Sequence, residues 1–164
     1  LARLQHLFDR RWRRWLLLAS LQCNRLIEIA AAQVYRVQAR APADPNTHGL
    51  LEKLALDEVN HGQDLASLIR RHGGRPVPVA PLCRALGWIV GCLTVVLGTR
   101  ASLRLDLWLE ERGTSLYPWS AGLLPPEAGI TARSLLAMQS QEAQHVHLLR
   151  DHLRAMRAAS KRRR

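Results

Sequence analysis

The sequence has few aromatic residues and few segments that favour β-strands. Aromatic side chains make up 5% of the 164 residues, as five Trp, two Tyr and one Phe. Runs of Val, Ile, Thr and aromatic residues, which are typical of strands, are nearly absent. Ala, Leu and Arg, which favour helices, are abundant instead. We therefore expect an all-α protein in which residues 1–164 form one domain with a buried core.

Cysteines are also scarce. The three cysteines, Cys23, Cys83 and Cys92, form no Cys-x-x-Cys pair, and their number is odd. This pattern argues against a disulfide framework and against a thiolate zinc site. Free thiols are typical of a reducing compartment such as the cytosol.

Acidic residues are outnumbered, with 13 Asp and Glu against 24 Lys and Arg, a formal net charge of +11. Such an excess favours an anionic partner, either nucleic acid or an acidic membrane surface. The basic residues concentrate in an N-terminal segment (1–15), where arginines alternate with Trp12 and Trp15, and in a C-terminal tail (157–164). The alternative interpretation is two solvated ends that aid solubility.

Helical periodicity and chain breakers predict four long helices. Their expected bounds are 11–40, 48–72, 81–112 and 130–158, with a Pro-rich loop at 113–129 before the last helix. Asp44 or Thr47 is the expected N-cap of the second helix, and Gly73 with Gly74 ends it. A kink is expected near Gly87 or Gly91 in the third helix.

Long apolar runs are missing as well. The uncharged stretch at residues 85–98 has ~14 residues, whereas a membrane-spanning helix needs ~18–20. We expect this stretch to be a buried core helix or a segment at the membrane interface.

The strongest chemical signal is a repeated Glu-x-x-His motif. Glu58 and His61 lie in the second helix, and Glu142 and His145 lie in the fourth. Residues three apart on a helix share one face, and here that face carries the apolar residues predicted to form the core. A buried carboxylate is costly unless it is neutral, paired or bound to a cation.

The other two helices each offer a glutamate at an inward position. The first helix supplies Glu28, and the third supplies Glu110 or Glu111, of which Glu110 has the more apolar neighbours. Four Glu and two His on four helices predict a dimetal centre, and a carboxylate-rich donor set favours iron or manganese. We expect two Fe ions. In the alternative interpretation, the acids pair with Arg25, Arg104 or the two histidines.

These motifs resemble the demethoxyubiquinone hydroxylases, ferritin-like diiron monooxygenases of ubiquinone biosynthesis. The matching segments span roughly residues 22–154 and include the following: Asn24 to Glu28, Asp57 to His61, Arg75-Pro76, Pro81-Leu82, Leu86-Gly87, Leu97-Gly98, Glu110-Glu111, Tyr117, Glu142 to His145, and His152. The sequence departs from the family at Arg25-Leu26-Ile27, where the family has His-Ala-Gly, and at Leu116, where it has His.

The resemblance implies a ferritin-like four-helix bundle that hydroxylates the ring of a demethoxyubiquinone-type quinol with dioxygen. It implies metal ligation by Glu28, Glu58, His61, Glu110, Glu142 and His145. Tyr117 is expected to bind substrate or relay electrons, or else to be an ordinary buried tyrosine. Implied partners are an isoprenoid quinone, an electron donor such as NADH or a reduced quinol, an anionic membrane surface, other ubiquinone-biosynthesis proteins and further copies of the chain. The implied location is peripheral, on the cytoplasmic face of the bacterial inner membrane or the matrix face of the mitochondrial one.

Three other functions remain open at this point. One is a different ferritin-like diiron enzyme, such as a tRNA hydroxylase, which would also use the basic charge. Another is iron storage or peroxide handling. The third is a non-enzymatic basic helical protein that binds membrane or nucleic acid and holds no metal.

Overall fold

The structure is a bundle of α-helices. A computed structural model describes residues 2–41, 44–124 and 128–162, with side chains from residue 11 onward. The helices are α1 (Ala2–Ala39), α2 (Pro45–Arg71), α3 (Ala80–Val96), α4 (Thr99–Gly113), α5 (Leu116–Gly122) and α6 (Gly129–Arg162). α1 packs along α2 and α3, whereas α6 packs on α4 and α5. No strand occurs within these ranges, so the all-α prediction is confirmed.

The residues predicted to begin and end α2 do so in the structure. The Asp44 carboxylate accepts hydrogen bonds from the backbone N–H of Asn46 and Thr47, at 3.0 and 3.1 Å, so Asp44 is the N-cap. After α2, Gly73 has φ = +73°, a conformation that glycine adopts without steric cost. Residues 42 and 43 of the predicted breaker loop lie outside the described ranges.

The predicted length of the third helix is wrong, because two helices, α3 and α4, occupy the range where one was expected. Gly98 has φ = +83° and turns the chain between the two helices. Gly87 and Gly91 lie within α3 and allow close packing on α1. A Cβ atom at Gly87 would lie 2.4 Å from the carbonyl oxygen of Ala30, so this glycine is required by the approach of two backbones.

Other helix ends also differ from the sequence prediction. The Pro-rich loop expected at 113–129 contains α5, in which Pro118 lies in the first turn, where the missing N–H costs nothing. Pro125 and Pro126 lie outside the described ranges. α1 begins at Ala2 and α6 extends to Arg162, beyond the predicted ends. Residues 163 and 164 of the basic tail are outside the described ranges.

Part of the basic N-terminal segment makes defined contacts. Trp12 and Trp15 are exposed and stack with ring centroids 5.2 Å apart. Arg14 donates hydrogen bonds to the carbonyl oxygens of His72 and Gly73, both at 3.1 Å. Arg14 therefore joins α1 to the end of α2 and satisfies carbonyl groups there. The side chains of residues 1–10 lie outside the described part, and the single-domain prediction stays a prediction.

Two apolar clusters form the core. One contains Leu17, Leu21, Leu65, Leu68, Ile69, Tyr117, Leu135 and Met138. The other contains Tyr35, Ala39, Leu51, Leu54, Ala55, Leu103, Leu149 and Leu153. The inward Glu and His residues come between these two sets along α1, α2 and α6, so the packing of apolar side chains on both sides encloses a polar layer.

One apolar surface is left uncovered. α3 buries only its small residues Gly87, Gly91 and Thr94, whereas its large apolar side chains face outward. These include Leu82, Leu86, Trp88, Ile89, Val90, Leu93 and Val96, the last of which is 85% exposed. Among the described helices, none combines the length and apolar character needed to cross a membrane.

Candidate metal centre

All six side chains predicted as ligands converge in the polar layer. α1 supplies Glu28, α2 supplies Glu58 and His61, α4 supplies Glu110, and α6 supplies Glu142 and His145. Each of these residues is at most 6% exposed. Their donor atoms form two groups within 4.8 Å: Glu28, Glu58, His61 and Glu142, and Glu58, Glu110, Glu142 and His145.

Glu58 and Glu142 belong to both groups. Nδ1 of His61 on α2 lies 2.9 Å from Oε1 of Glu142 on α6. Nδ1 of His145 on α6 lies 3.2 Å from Oε1 of Glu58 on α2. The sequence interpretation assigned each Glu-x-x-His pair to a single ion. The geometry differs because each carboxylate also faces the imidazole of the opposite helix.

The structure separates the two candidate glutamates of α4. Glu110 is buried in the centre, whereas Glu111 is exposed and accepts a hydrogen bond from Arg150 at 2.7 Å. The preference for Glu110 as the inward residue therefore agrees with the structure. The assignment of all six residues as ligands stays a prediction.

Glu28 and Glu110, which each belong to only one donor group, accept hydrogen bonds from two buried tyrosines. Tyr117 of α5 donates from its hydroxyl to Oε1 of Glu28, at 2.6 Å. Tyr35 of α1 donates in the same way to Oε1 of Glu110. Tyr35 lies seven positions after Glu28 on the same face of α1. The expected role of Tyr117 with substrate or electrons stays a prediction.

The two histidines are oriented by residues that the sequence reasoning missed as functional. Nε2 of His145 lies 3.1 Å from Oδ2 of Asp57, and Nε2 of His61 lies 2.8 Å from Oε1 of Gln141. The acceptors are oxygens, so each Nε2 donates a hydrogen bond, and each Nδ1 points into the centre. The signal was present, because Asp57 and Gln141 each directly precede the Glu of a motif.

Burial and mutual charge shift the pKa values of these groups. Burial is the largest cause raising the pKa of Glu28 well above its ordinary value, and burial with the Glu58 charge raises that of Glu142 to about 8. Burial alone would lower the pKa of His61 and His145, but neighbouring carboxylates outweigh it and raise these values to about 11 and about 10. Without a cation, the centre therefore holds protons, which metal binding would release.

The donor set fits a pair of metal ions. Oε1 of Glu58, Oε1 of Glu142 and Nδ1 of His145 are buried, and none forms a hydrogen bond of normal geometry with a described residue. The oxygens of Glu142 and Glu58 lie within ion-pair distance of Nδ1 of His61 and of His145, at 2.9 and 3.2 Å. Unpartnered buried polar atoms are rare in folded proteins, and these three point into the shared centre. The total negative charge of the four carboxylates, when all are ionised, equals the positive charge of two divalent cations. Oxygen donors with one imidazole per group suit iron or manganese.

A cavity of about 80 Å³ leads from the surface to the centre. It runs between α1, α4 and α5. Ile27 and Leu109, which are about half exposed, lie at its outer side, and Glu28, Glu58 and Glu110 lie at its inner end. Its surface is mainly apolar, so it suits an apolar ring better than a charged substrate.

Similar proteins are found among curated sequences. The chain is 25% identical over 133 residues to the 3-demethoxyubiquinol 3-hydroxylase of Delftia acidovorans (strain DSM 14801 / SPH-1), covering 81% of this chain and 65% of that protein. It is 24% identical over 127 residues to the enzyme of the same name from Paracidovorax citrulli (strain AAC00-1), covering 77% of this chain and 62% of the relative. The chain thus spans just under two thirds of the length of these curated relatives.

The sequence profile of one family also matches. It is described as ubiquinone biosynthesis protein COQ7, and it matches residues 16–112, a range that contains Glu28, Glu58, His61 and Glu110. Glu142 and His145 lie beyond this range, on α6, and complete the two donor groups in the structure. Because the match covers more than half of the chain, the chain belongs to the ubiquinone biosynthesis protein COQ7 family.

Proposed function

We propose that this protein is a diiron monooxygenase that hydroxylates the ring of a demethoxyubiquinol-type substrate in ubiquinone biosynthesis. The observation that carries the proposal is the pair of buried donor groups that share Glu58 and Glu142. The names of the curated relatives and of the family support the reaction and the pathway.

When bound, two iron ions would supply the activation of dioxygen. One oxygen atom enters a ring C–H bond and the other becomes water, so the reaction also consumes two electrons and two protons. The proposal therefore includes a reductant, such as NADH or a reduced quinol.

The residues of the chain hold and enclose the centre. Tyr117 and Tyr35 fix the carboxylates of Glu28 and Glu110 through hydrogen bonds. Asp57 and Gln141 fix the imidazoles of His145 and His61. Burial of all six donors excludes water, which strengthens the electrostatic interactions within the site.

The cavity between α1, α4 and α5 would guide the substrate ring to the centre. Its apolar wall matches a methylated ring and isoprenoid tail, and Ile27 with Leu109 would contact the ring as it enters. Val34 lines the cavity, and a Cβ atom at Gly91 of α3 would lie 3.2 Å from its carbonyl oxygen, so α3 packs against α1 at a residue of the cavity wall.

We further propose that the protein attaches peripherally to a membrane through the outward face of α3. The exposed Leu, Ile, Val and Trp side chains of that face and the lack of charge from Ala85 to Gly98 support contact with lipid. Exposed arginines elsewhere would attract anionic head groups. An isoprenoid substrate dissolved in the bilayer could then enter the cavity beside α3.

The test is complementation of a bacterial strain that lacks its own demethoxyubiquinol hydroxylase, with quinones measured by mass spectrometry. We expect the wild-type chain and Glu111→Ala to restore ubiquinone, and Glu58→Ala to leave the demethoxyquinone. Iron content is measured on each purified protein. Persistence of the demethoxyquinone with iron-loaded wild-type protein would contradict the proposal. RNA modification and iron or peroxide handling predict that outcome, whereas a non-enzymatic role predicts persistence of the demethoxyquinone with no bound iron.

A further inference from the structure

Asp106 of α4 is a buried acid that belongs to neither donor group. It is 2% exposed and lies on the wall of the cavity that leads to the centre. The amide Nε2 of Gln38 donates a hydrogen bond to its Oδ1, at 3.1 Å. Its other oxygen, Oδ2, is buried and has no hydrogen-bond partner among the described residues.

The position of Asp106 is fixed by a short chain of hydrogen bonds. Gln38 Nε2 also donates to the Thr94 hydroxyl, at 3.0 Å, and this hydroxyl donates to the carbonyl oxygen of Gly91, at 2.8 Å. The network joins α1, α3 and α4, so it holds one carboxyl oxygen in place and leaves the other unused. A buried polar oxygen without a partner is unfavourable, and the adjoining cavity is where a partner can lie.

The other polar groups on the described cavity wall belong to the proposed metal centre or donate a hydrogen bond to it. Tyr35 and Tyr117 donate to Glu110 and Glu28, and Glu58 and Glu142 belong to both donor groups. The remaining described wall is formed by Ile27, Ala31, Val34, Leu109, Gly113 and Leu116. Asp106 is therefore the polar group of the described wall that is available to orient a bound molecule.

We propose that Asp106 is a substrate-contacting residue, whose carboxyl hydrogen-bonds an oxygen substituent of an aromatic ring in the cavity. This inference rests on the proposed function and deepens it, because it names the group that orients the ring. Burial, and to a smaller extent Glu110, raises the pKa of Asp106 to about 7, although the Gln38 hydrogen bond opposes this shift. The carboxyl is therefore protonated in part of the population near neutral pH and can donate to a ring oxygen, while its ionised form can accept from a ring hydroxyl.

The inference is tested by binding of two small probes. 2-Methoxyhydroquinone has two ring hydroxyls, and 1,2,4-trimethoxybenzene is its fully methylated counterpart without a donor. Both are titrated calorimetrically, without oxygen, into the iron-loaded protein. The variants are Asp106→Leu, which is similar in size and cannot hydrogen-bond, and Asp64→Leu, a control with the same substitution at an exposed position of α2 outside the cavity.

We expect wild type and Asp64→Leu to bind the diol more tightly than the trimethoxy compound. Asp106→Leu should weaken diol binding by about 3–10-fold, the value of one hydrogen bond. It should weaken binding of the trimethoxy compound less, because ether oxygens can accept a hydrogen bond from the protonated carboxyl but cannot donate one to the ionised form. Should Asp106→Leu fail to fold, Asp106→Ala provides the same comparison.

The failure of this inference is distinguishable from failure of the proposed function. Equal affinities of wild type and Asp106→Leu for the diol, or equal losses for both probes, would overturn the role of Asp106 alone. If the iron-loaded wild type binds neither probe, the quinol hydroxylase proposal fails together with it.

Discussion

The imidazole of His145 on α6 donates from Nε2 to the carboxylate of Asp57 on α2, at 3.1 Å. The reciprocal contact joins His61 on α2 to Gln141 on α6, at 2.8 Å. Each residue before a motif glutamate thus orients the histidine of the other motif. The two contacts are alike in geometry and different in charge, because one acceptor is a carboxylate and the other is a neutral amide.

Removing either acceptor should weaken metal binding without removing a predicted ligand. We expect Asp57→Ala and Gln141→Ala each to lower iron affinity by about 10–100-fold, because the imidazole loses the hydrogen bond that fixes its orientation. Glu52→Ala is the control, since Glu52 is exposed on α2 and its contact is with His48. Competition with a chromophoric chelator measures the affinities. Affinities equal to that of Glu52→Ala would mean that Asp57 and Gln141 do not support the centre.

Neighbouring glutamates on α4 provide a direct test of ligand assignment. Glu110→Ala should reduce bound iron below two ions per chain, because Glu110 completes the group with His145. Glu111→Ala should retain both ions, because Glu111 pairs with Arg150 at the surface. Elemental analysis of the two purified proteins gives the ratio, and Glu142→Ala or His145→Ala should also lose iron. Full iron in any of these three centre variants would refute that assignment.

The inward set of acids could be predicted from sequence because each lies on a regular apolar stripe. Glu58 follows Leu51, Leu54 and Ala55 at helical spacing, and all four residues are buried. The choice of Glu110 over Glu111 followed from the same periodicity. Burial of a carboxylate is a strong signal, since it needs a partner of opposite charge.

The contacts of Asp57 and Gln141 depend on the faces that α2 and α6 present across the bundle, which helical periodicity does not specify. The break at Gly98 was missed for a related reason. The uncharged residues before it fit a continuous helix. The turn between α3 and α4 instead depends on tertiary contacts, including a hydrogen bond from the Ser102 hydroxyl to the Thr94 carbonyl oxygen, at 2.5 Å.

Asp106 should make stability depend on pH. Its pKa is about 7 in the fold, mainly through burial, against an ordinary value of 3.8. The folded protein therefore binds the proton more tightly, and the stabilising contribution is complete below about pH 4 and lost as pH rises through about 7. From pH 4 to 8, wild type should lose up to about 4 kcal/mol more than Asp106→Asn. Urea unfolding measures both, and the exposed Asp64→Asn should follow wild type. Parallel profiles for wild type and Asp106→Asn would contradict the shift.

Gly87 should be intolerant of even one added methyl group. A Cβ atom there would lie 2.4 Å from the Ala30 carbonyl oxygen and 3.0 Å from Cβ of Gln33, so α1 and α3 would have to separate. We expect Gly87→Ala to lower the free energy of unfolding by about 1–3 kcal/mol. Gly49→Ala in α2 meets no atom within 4 Å and should raise it by roughly 0.5–1 kcal/mol. A neutral Gly87→Ala would mean that the two helices pack less closely.

Membrane attachment through α3 can be tested with matched leucines. Leu93 on α3 and Leu56 on α2 are 63% and 60% exposed, so their replacement by Ser removes similar apolar area from water-facing positions. Only Leu93 belongs to the uncharged outward face, which would enter the lipid interface. Leu93→Ser should therefore reduce binding to phosphatidylglycerol vesicles by roughly 10-fold, given the ~1.5 kcal/mol or more that burial of a Leu side chain contributes. Leu56→Ser should bind as wild type does, and added salt should weaken both, since arginines attract the head groups. Vesicle sedimentation at low salt gives the partition coefficients, and equal losses in the two variants would rule out α3 as the attachment surface.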